Sequence, residues 1–171
     1  MRTFMIAGLA AGCLVAFNAH AQAPALPANL PAALKPAGIA PYLQVSATGV
    51  QIYTCNMSNG AWTWTFKAPE ASLFDAQKKQ VGKHYAGPTW EALAGGKVVG
   101  AVKASAPGGA GNVPWLLLDV KSRDGSGPFT DAKGILRVDT KGGAAPAQGC
   151  DQAHAGQAAR VPYTANYFFL K

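Results

Sequence analysis

Beyond residue 21 the chain carries two histidines, His84 and His154, two glutamates, Glu70 and Glu91, and two cysteines, Cys55 and Cys150. Each pair suggests a chemistry. Both histidines with a carboxylate such as Asp75, Asp151 or Glu91 would supply donors of the kind zinc takes. However, Lys78, Lys79 and Lys83 crowd the sequence beside His84 and would oppose a cation, so no metal site is expected. Asp151 and His154 stand three residues apart and would face each other on a helical turn. A nucleophile is missing: no Gly-x-Ser-x-Gly exists, and a Cys150–His154 dyad fails if Cys150 is bridged. Asp151 is expected instead to cap a short turn. A glycosidase would need two carboxyls about 5–9.5 Å apart, and nothing in the sequence brings Glu70 and Glu91 together. No catalytic residue is assigned.

The two cysteines lack a Cys-x-x-Cys spacing and have no basic neighbour. An even count in an exported chain reads as one disulfide, Cys55–Cys150. The most promising site is the stretch His84-Tyr-Ala-Gly-Pro-Thr-Trp90, which combines a titratable ring, two aromatic rings and a rigid turn. Loops of this kind carry function on rigid scaffolds. His84, Tyr85 and Trp90 are therefore the candidate ligand-binding residues. Trp62, Trp64 and Phe66 share one face of an alternating run. Trp62, Trp64 and Trp115 are assigned to the core, where aromatic residues in β-proteins most often reside.

These residues need elements to position them. The chain has 171 residues, 49% hydrophobic and 13% charged, with 20 Gly and 12 Pro. That is one domain of chain, apolar enough to fill a core, and its turn residues argue against a helical bundle. Met1-Arg2, an apolar run from Phe4 to Phe17 and the Ala19-His-Ala21 site read as a signal peptide over 1–21, cleaved after Ala21. The run is too short for a membrane helix. Residues 22–40 are rich in Ala and Pro and read as an extended arm. Residues 41–171 read as a single β-domain.

Within it, Tyr42–Ala47 and Val50–Cys55 alternate apolar and polar residues, as a half-buried strand does. Thr48-Gly49 between them reads as a tight turn or as a bulge within one long strand. Ala61–Phe66 alternates again, Lys67–Glu70 breaks the pattern, and Ser72–Asp75 is a short strand. Further strands are read over 81–85, 89–93, 97–105, 113–120, 135–138 and 160–170. The segment Val113–Val120 is apolar enough to be buried on both faces. About eight to ten short strands imply an all-β antiparallel sandwich, with a closed β-barrel as the alternative.

Several segments taken together are familiar: Gly49-Val-Gln-Ile-Tyr-Thr-Cys55, Trp64-Thr-Phe-Lys-Ala-Pro-Glu-Ala71, His84–Trp90, Val113-Pro-Trp-Leu-Leu-Leu118, Thr140-Lys-Gly-Gly143, Gly149-Cys-Asp151 and Val161-Pro-Tyr-Thr-Ala165 with Tyr167-Phe168. They resemble a domain-of-unknown-function family of secreted bacterial and fungal proteins, over nearly all of the chain after residue 30. The resemblance implies export and one domain, and brings no catalytic residues with it.

With fifteen basic and eight acidic residues the chain is mildly cationic. It has no zinc-finger spacing, basic helix or RNA-binding aromatic motif, so no nucleic-acid partner is expected. No cofactor is expected, and no transmembrane span in the mature chain. The expected role is an exported, non-enzymatic β-domain, periplasmic or extracellular, that binds a glycan, a lipid or an envelope protein. The alternatives are a secreted hydrolase using His84 with a carboxylate, and a purely structural or stress-linked envelope protein.

Overall fold

The computed structural model describes residues 22–171, so the signal-peptide expectation lies outside the described residues. The fold is all-β. Eight antiparallel strands follow in order: β1 (Pro41–Ser58), β2 (Ala61–Phe74), β3 (Gln80–Tyr85), β4 (Thr89–Ala92), β5 (Lys97–Ala106), β6 (Trp115–Asp124), β7 (Gly134–Gly142) and β8 (Ala158–Leu170). Each strand pairs with the next, and β1 also pairs with β8, so the single sheet closes into a ring. Of the two arrangements the alternation left open, the pairing follows the closed one. Among the described residues no helix is long and apolar enough to cross a membrane.

Two strands are longer than the sequence suggests. β1 runs through Thr48-Gly49 without a break in register, and its bulge lies between Ile52 and Tyr53. That bulge leaves Lys67 as the extra residue on β2, so the polar interruption at Lys67–Glu70 bends β2 rather than ending it.

Alternation decides which side chains fill the ring. Val45 and Ala47 of β1, Tyr163, Ala165, Tyr167 and Phe169 of β8, and Leu118 and Ile135 share one interior cluster. A second cluster lies on the outside. There Leu26, Leu30, Leu34 and Ile39 of the segment before β1 cover Leu117, Leu136, Val138, Phe168 and Leu170. That segment is not wholly extended: Ala32–Leu34 forms a 3-10 turn that buries Leu34. Each fully buried leucine contributes roughly 2–3 kcal/mol. This second layer explains the unbroken Leu116-Leu117-Leu118 run, since Leu118 faces the interior and Leu117 the covering segment.

The opposite side of the ring is thinner. β3 and β4 are short, so β2 pairs with β3 only over Ala71–Phe74, and β4 pairs with β5 only over Thr89–Glu91 against Lys97–Val99. The remaining lengths of β2 and β5 have no strand between them. A window is left in the wall, bounded above by the turn from β3 to β4. Pro88 O of that turn accepts a hydrogen bond from Gly100 N at 3.0 Å, which fixes the upper corner.

Candidate functional site

Behind the window lies a cavity of about 400 Å³. Its rim is Phe66, Lys67 and Pro69 of β2, Gly87 and Pro88 of the turn, and Val102 of β5. Phe66 and Val102 are large apolar side chains left 53% and 57% exposed, as Met57 and Leu93 are elsewhere on the surface. Phe66 is held there by an edge contact with Tyr53, ring centroids 5.7 Å apart.

The floor is built from the interior-facing positions of six strands: Gln51, His84, Trp90, Leu116, Leu118, Arg137 and Tyr167. His84 and Trp90 pair across β3 and β4, so their rings stack face to face at 4.3 Å and 15°. The edge of Tyr167 closes on both rings, at 5.2 and 5.4 Å. Gly100 makes room for this stack, because a Cβ there would lie 3.1 Å from the Trp90 ring.

His84 lies 2.8 Å through Nδ1 from Thr89 O. Since a carbonyl only accepts, Nδ1 carries the proton in the neutral ring, and Nε2 is left as an acceptor. Burial, reinforced by the nearby Arg137 charge and opposed by the Thr89 bond, pushes His84 down to about 3. The imidazole is therefore neutral throughout the physiological range.

Arg137 is the other unusual group. It sits on the interior face of β7, only 8% exposed. Nε and Nη2 donate to Pro114 O at 3.0 and 2.8 Å. Among the described residues no acidic side chain forms an ion pair with it. Among the described residues, four buried side-chain atoms have no hydrogen-bond partner: Gln51 Nε2, Trp90 Nε1, Tyr163 Oη and Tyr167 Oη. Gln51, Arg137 and the two tyrosines stand close enough to influence one another's protons, yet none of these four atoms closes a bond of acceptable geometry. Burial pushes both hydroxyls well above the usual tyrosine range, against the pull of Arg137.

Of the three residues singled out in the sequence, His84 and Trp90 come together in the cavity floor. Tyr85 does not. As the next residue along β3 it faces outwards, where its hydroxyl donates to Glu91 Oε2 at 2.8 Å. Lys83 is separated from the His84 ring for the same reason, exposed and buried on opposite faces of one strand, while Lys78 and Lys79 lie exposed in the turn before β3.

The other candidate pairs lie outside the cavity. Glu70 is gripped by Arg160 at 2.8 and 3.2 Å, which holds its carboxyl below the usual range, and Glu91 is held by Tyr85. Asp151 accepts from His154 N at 3.1 Å and lies 2.7 Å from its Nδ1, so it caps the 3-10 turn Gln152–His154. Among the described residues no three His, Cys, Asp or Glu side chains gather as a metal site would require.

Cys55 and Cys150 form a disulfide spanning a sequence separation of 95. It pins the loop after β7 beside the lower part of β1. Trp64 is half-buried there, and its Nε1 donates to Gln148 O at 2.9 Å. Trp62 is likewise half-buried on the same face, while Trp115 packs against the outer cluster.

Two interior residues escaped the sequence reading. In Ile135-Leu-Arg-Val138 the arginine falls at the same alternation phase as Ile135, which places its charge inside. Gln51 has the same relation to Val45 and Ala47. A polar residue at the buried phase of a strand was the available signal.

No curated protein and no solved structure matches this chain at a significant level. A family model described as "Protein of unknown function (DUF3455)" matches residues 36–171, which include every strand of the ring, and the chain belongs to that family.

Proposed function

We propose that this protein is an exported, non-enzymatic binding module that holds a small, largely apolar ligand in the cavity behind the window. The observation that carries this is the cavity itself. Its volume of about 400 Å³ falls within the range of small-molecule sites. Apolar and aromatic side chains dominate its lining, and two exposed apolar residues flank its entrance.

Binding is favoured over turnover by the state of His84. It is neutral and stacked, with no carboxylate among the cavity-lining residues. A hydrolase using His84 would need such a partner to orient the ring and stabilise its charged form. The disulfide suits an oxidising compartment and supports placement in the periplasm or outside the cell.

The test is a thermal-shift panel on the purified protein, covering fatty acids, oligosaccharides, polyanions, and divalent metals with chelator controls. A ligand present at 100 times its dissociation constant stabilises by about 2.7 kcal/mol. The expected result is a shift with the small apolar compounds that Val102→Arg, a change at the exposed rim, abolishes. A shift confined to oligosaccharides and unaffected by Val102→Arg would place binding elsewhere on the surface and overturn the proposal.

A further inference from the structure

We infer that the ligand of this cavity carries a carboxylate, seated against Arg137, with its apolar body directed towards Phe66 and Val102. This rests on the cavity being a binding site and adds the chemical class of what it takes.

The first argument is charge. A guanidinium that is mostly removed from water is ordinarily paired. Arg137 is 8% exposed, and among the described residues its hydrogen-bond partner is a backbone carbonyl, which occupies Nε and Nη2. With five N–H donors in a rigid fork, it has spare donors on Nη1 and Nη2 for a further acceptor.

The second argument is the composition of the wall. Lys67 and Arg137 are the charged residues lining the cavity, and both are cations. The mismatch is the one an anion would correct.

The third argument is fit: a carboxylate presents two oxygens that match the arginine fork. A neutral or cationic ligand would leave Arg137 without a counter-charge in the wall of a cavity it had just dried.

The shape fixes the rest. Arg137 shares the cavity with the stacked rings of His84 and Trp90, and the rest of the lining is mostly apolar. A monocarboxylate with a slender apolar body fits this polarity better than a glycan, whose many hydroxyls would face apolar walls.

Four probes of one chain length test the inference by calorimetric titration of the purified protein: decanoate, methyl decanoate, decan-1-ol and decyltrimethylammonium. Decanoate is expected to bind at least tenfold more tightly than either neutral compound, and the cation most weakly. Arg137→Gln should erase that preference, and Arg137→Lys, which keeps the charge without the fork, should retain part of it. If Arg137→Gln does not fold, the four-way comparison on the unaltered protein still decides. Equal affinity for decanoate and decan-1-ol, or a preference for the cation, overturns the carboxylate and leaves the cavity as an apolar site. Failure of all four to bind removes the cavity reading on which the inference stands.

Discussion

Two neighbouring layers of the ring interior are filled by the same device with opposite results. In one, Phe129 and Phe169 stack at 4.3 Å and 8°. In the other, His84 and Trp90 stack at 4.3 Å and 15°. Each stack has a glycine that yields the volume: Gly82, where a Cβ would lie 2.9 Å from the Phe129 ring, and Gly100 beneath Trp90. The phenylalanine layer is apolar and belongs to the interior cluster with Leu73, Val45 and Ile135. The histidine layer borders the cavity and its lone guanidinium. Packing a layer shut is thus within reach of this sequence, and the open layer is a departure from it. Buried polar groups without partners cost about 1–3 kcal/mol each, which is the kind of cost functional sites carry.

The contrast makes predictions of decreasing size. Phe129→Ala should lower stability by about 3–5 kcal/mol in denaturant titration, because it empties a packed site that cannot collapse. Ligand binding in the neighbouring layer should survive under conditions where the variant is folded. A matching loss of binding would mean that the two layers are not independent.

The second prediction concerns acid. His84 is pushed from 6.5 to about 3, so between these values the unfolded chain binds a proton that the folded chain does not. The stabilisation is therefore fully present above about pH 6.5 and is lost as pH falls towards 3, at up to about 1.4 kcal/mol per pH unit. His84→Gln should flatten this slope when melting is followed from pH 7 to pH 4. An unchanged slope would assign the acid sensitivity to other groups. The phenylalanine layer has no titrating group in its stack, and substitutions there should shift the whole curve without altering its shape.

The smallest effect is expected from Tyr167→Phe. It deletes a buried hydroxyl that has no partner, so stability should stay level or rise by up to about 1 kcal/mol. A loss of more than that would show that the hydroxyl is satisfied in the folded protein. If binding weakens while stability rises, the hydroxyl serves the ligand and not the fold.

Much of the fold was legible because alternation is a direct consequence of the pleat. The apolar phase of β8, and the double burial of Leu117 and Leu118, follow from which neighbours sit on each side chain's face. Closure of the ring was less legible. It depends on β1 meeting β8 across the whole length of the chain, and no local pattern encodes that pairing. The interruption at Lys67 shows a related limit, since a bulge and a strand end look alike when the partner strand is unknown.

In the site, His84 and Trp90 stood out by type and landed in the floor. Tyr85 is a candidate as the second aromatic ring of the stretch, but the next residue along a strand takes the opposite face. Arg137 is readable by its phase with Ile135, whereas the local alternation of Val50 and Ile52 puts Gln51 on the polar face, and only the continuity of β1 through Thr48-Gly49 turns it inwards. The window was beyond reach, since it arises from β3 and β4 being shorter than their neighbours, a comparison of lengths across strands.

The pairing of β1 with β8 sets an order of events in time. The ring cannot close until the last strand, Ala158–Leu170, is available, and most contacts join residues distant in the chain. Such topologies fold slowly, because loop-closure entropy must be overcome before the rewarding contacts form. The outer platform for Leu26, Leu30 and Leu34 includes Phe168 and Leu170, so it too is incomplete until the C-terminus has docked. Leu26, Leu30 and Leu34 are thus made early yet are among the last to find their place. Until the final strand arrives, β1 and β7 each present an unpaired edge, the kind of surface on which another chain could add.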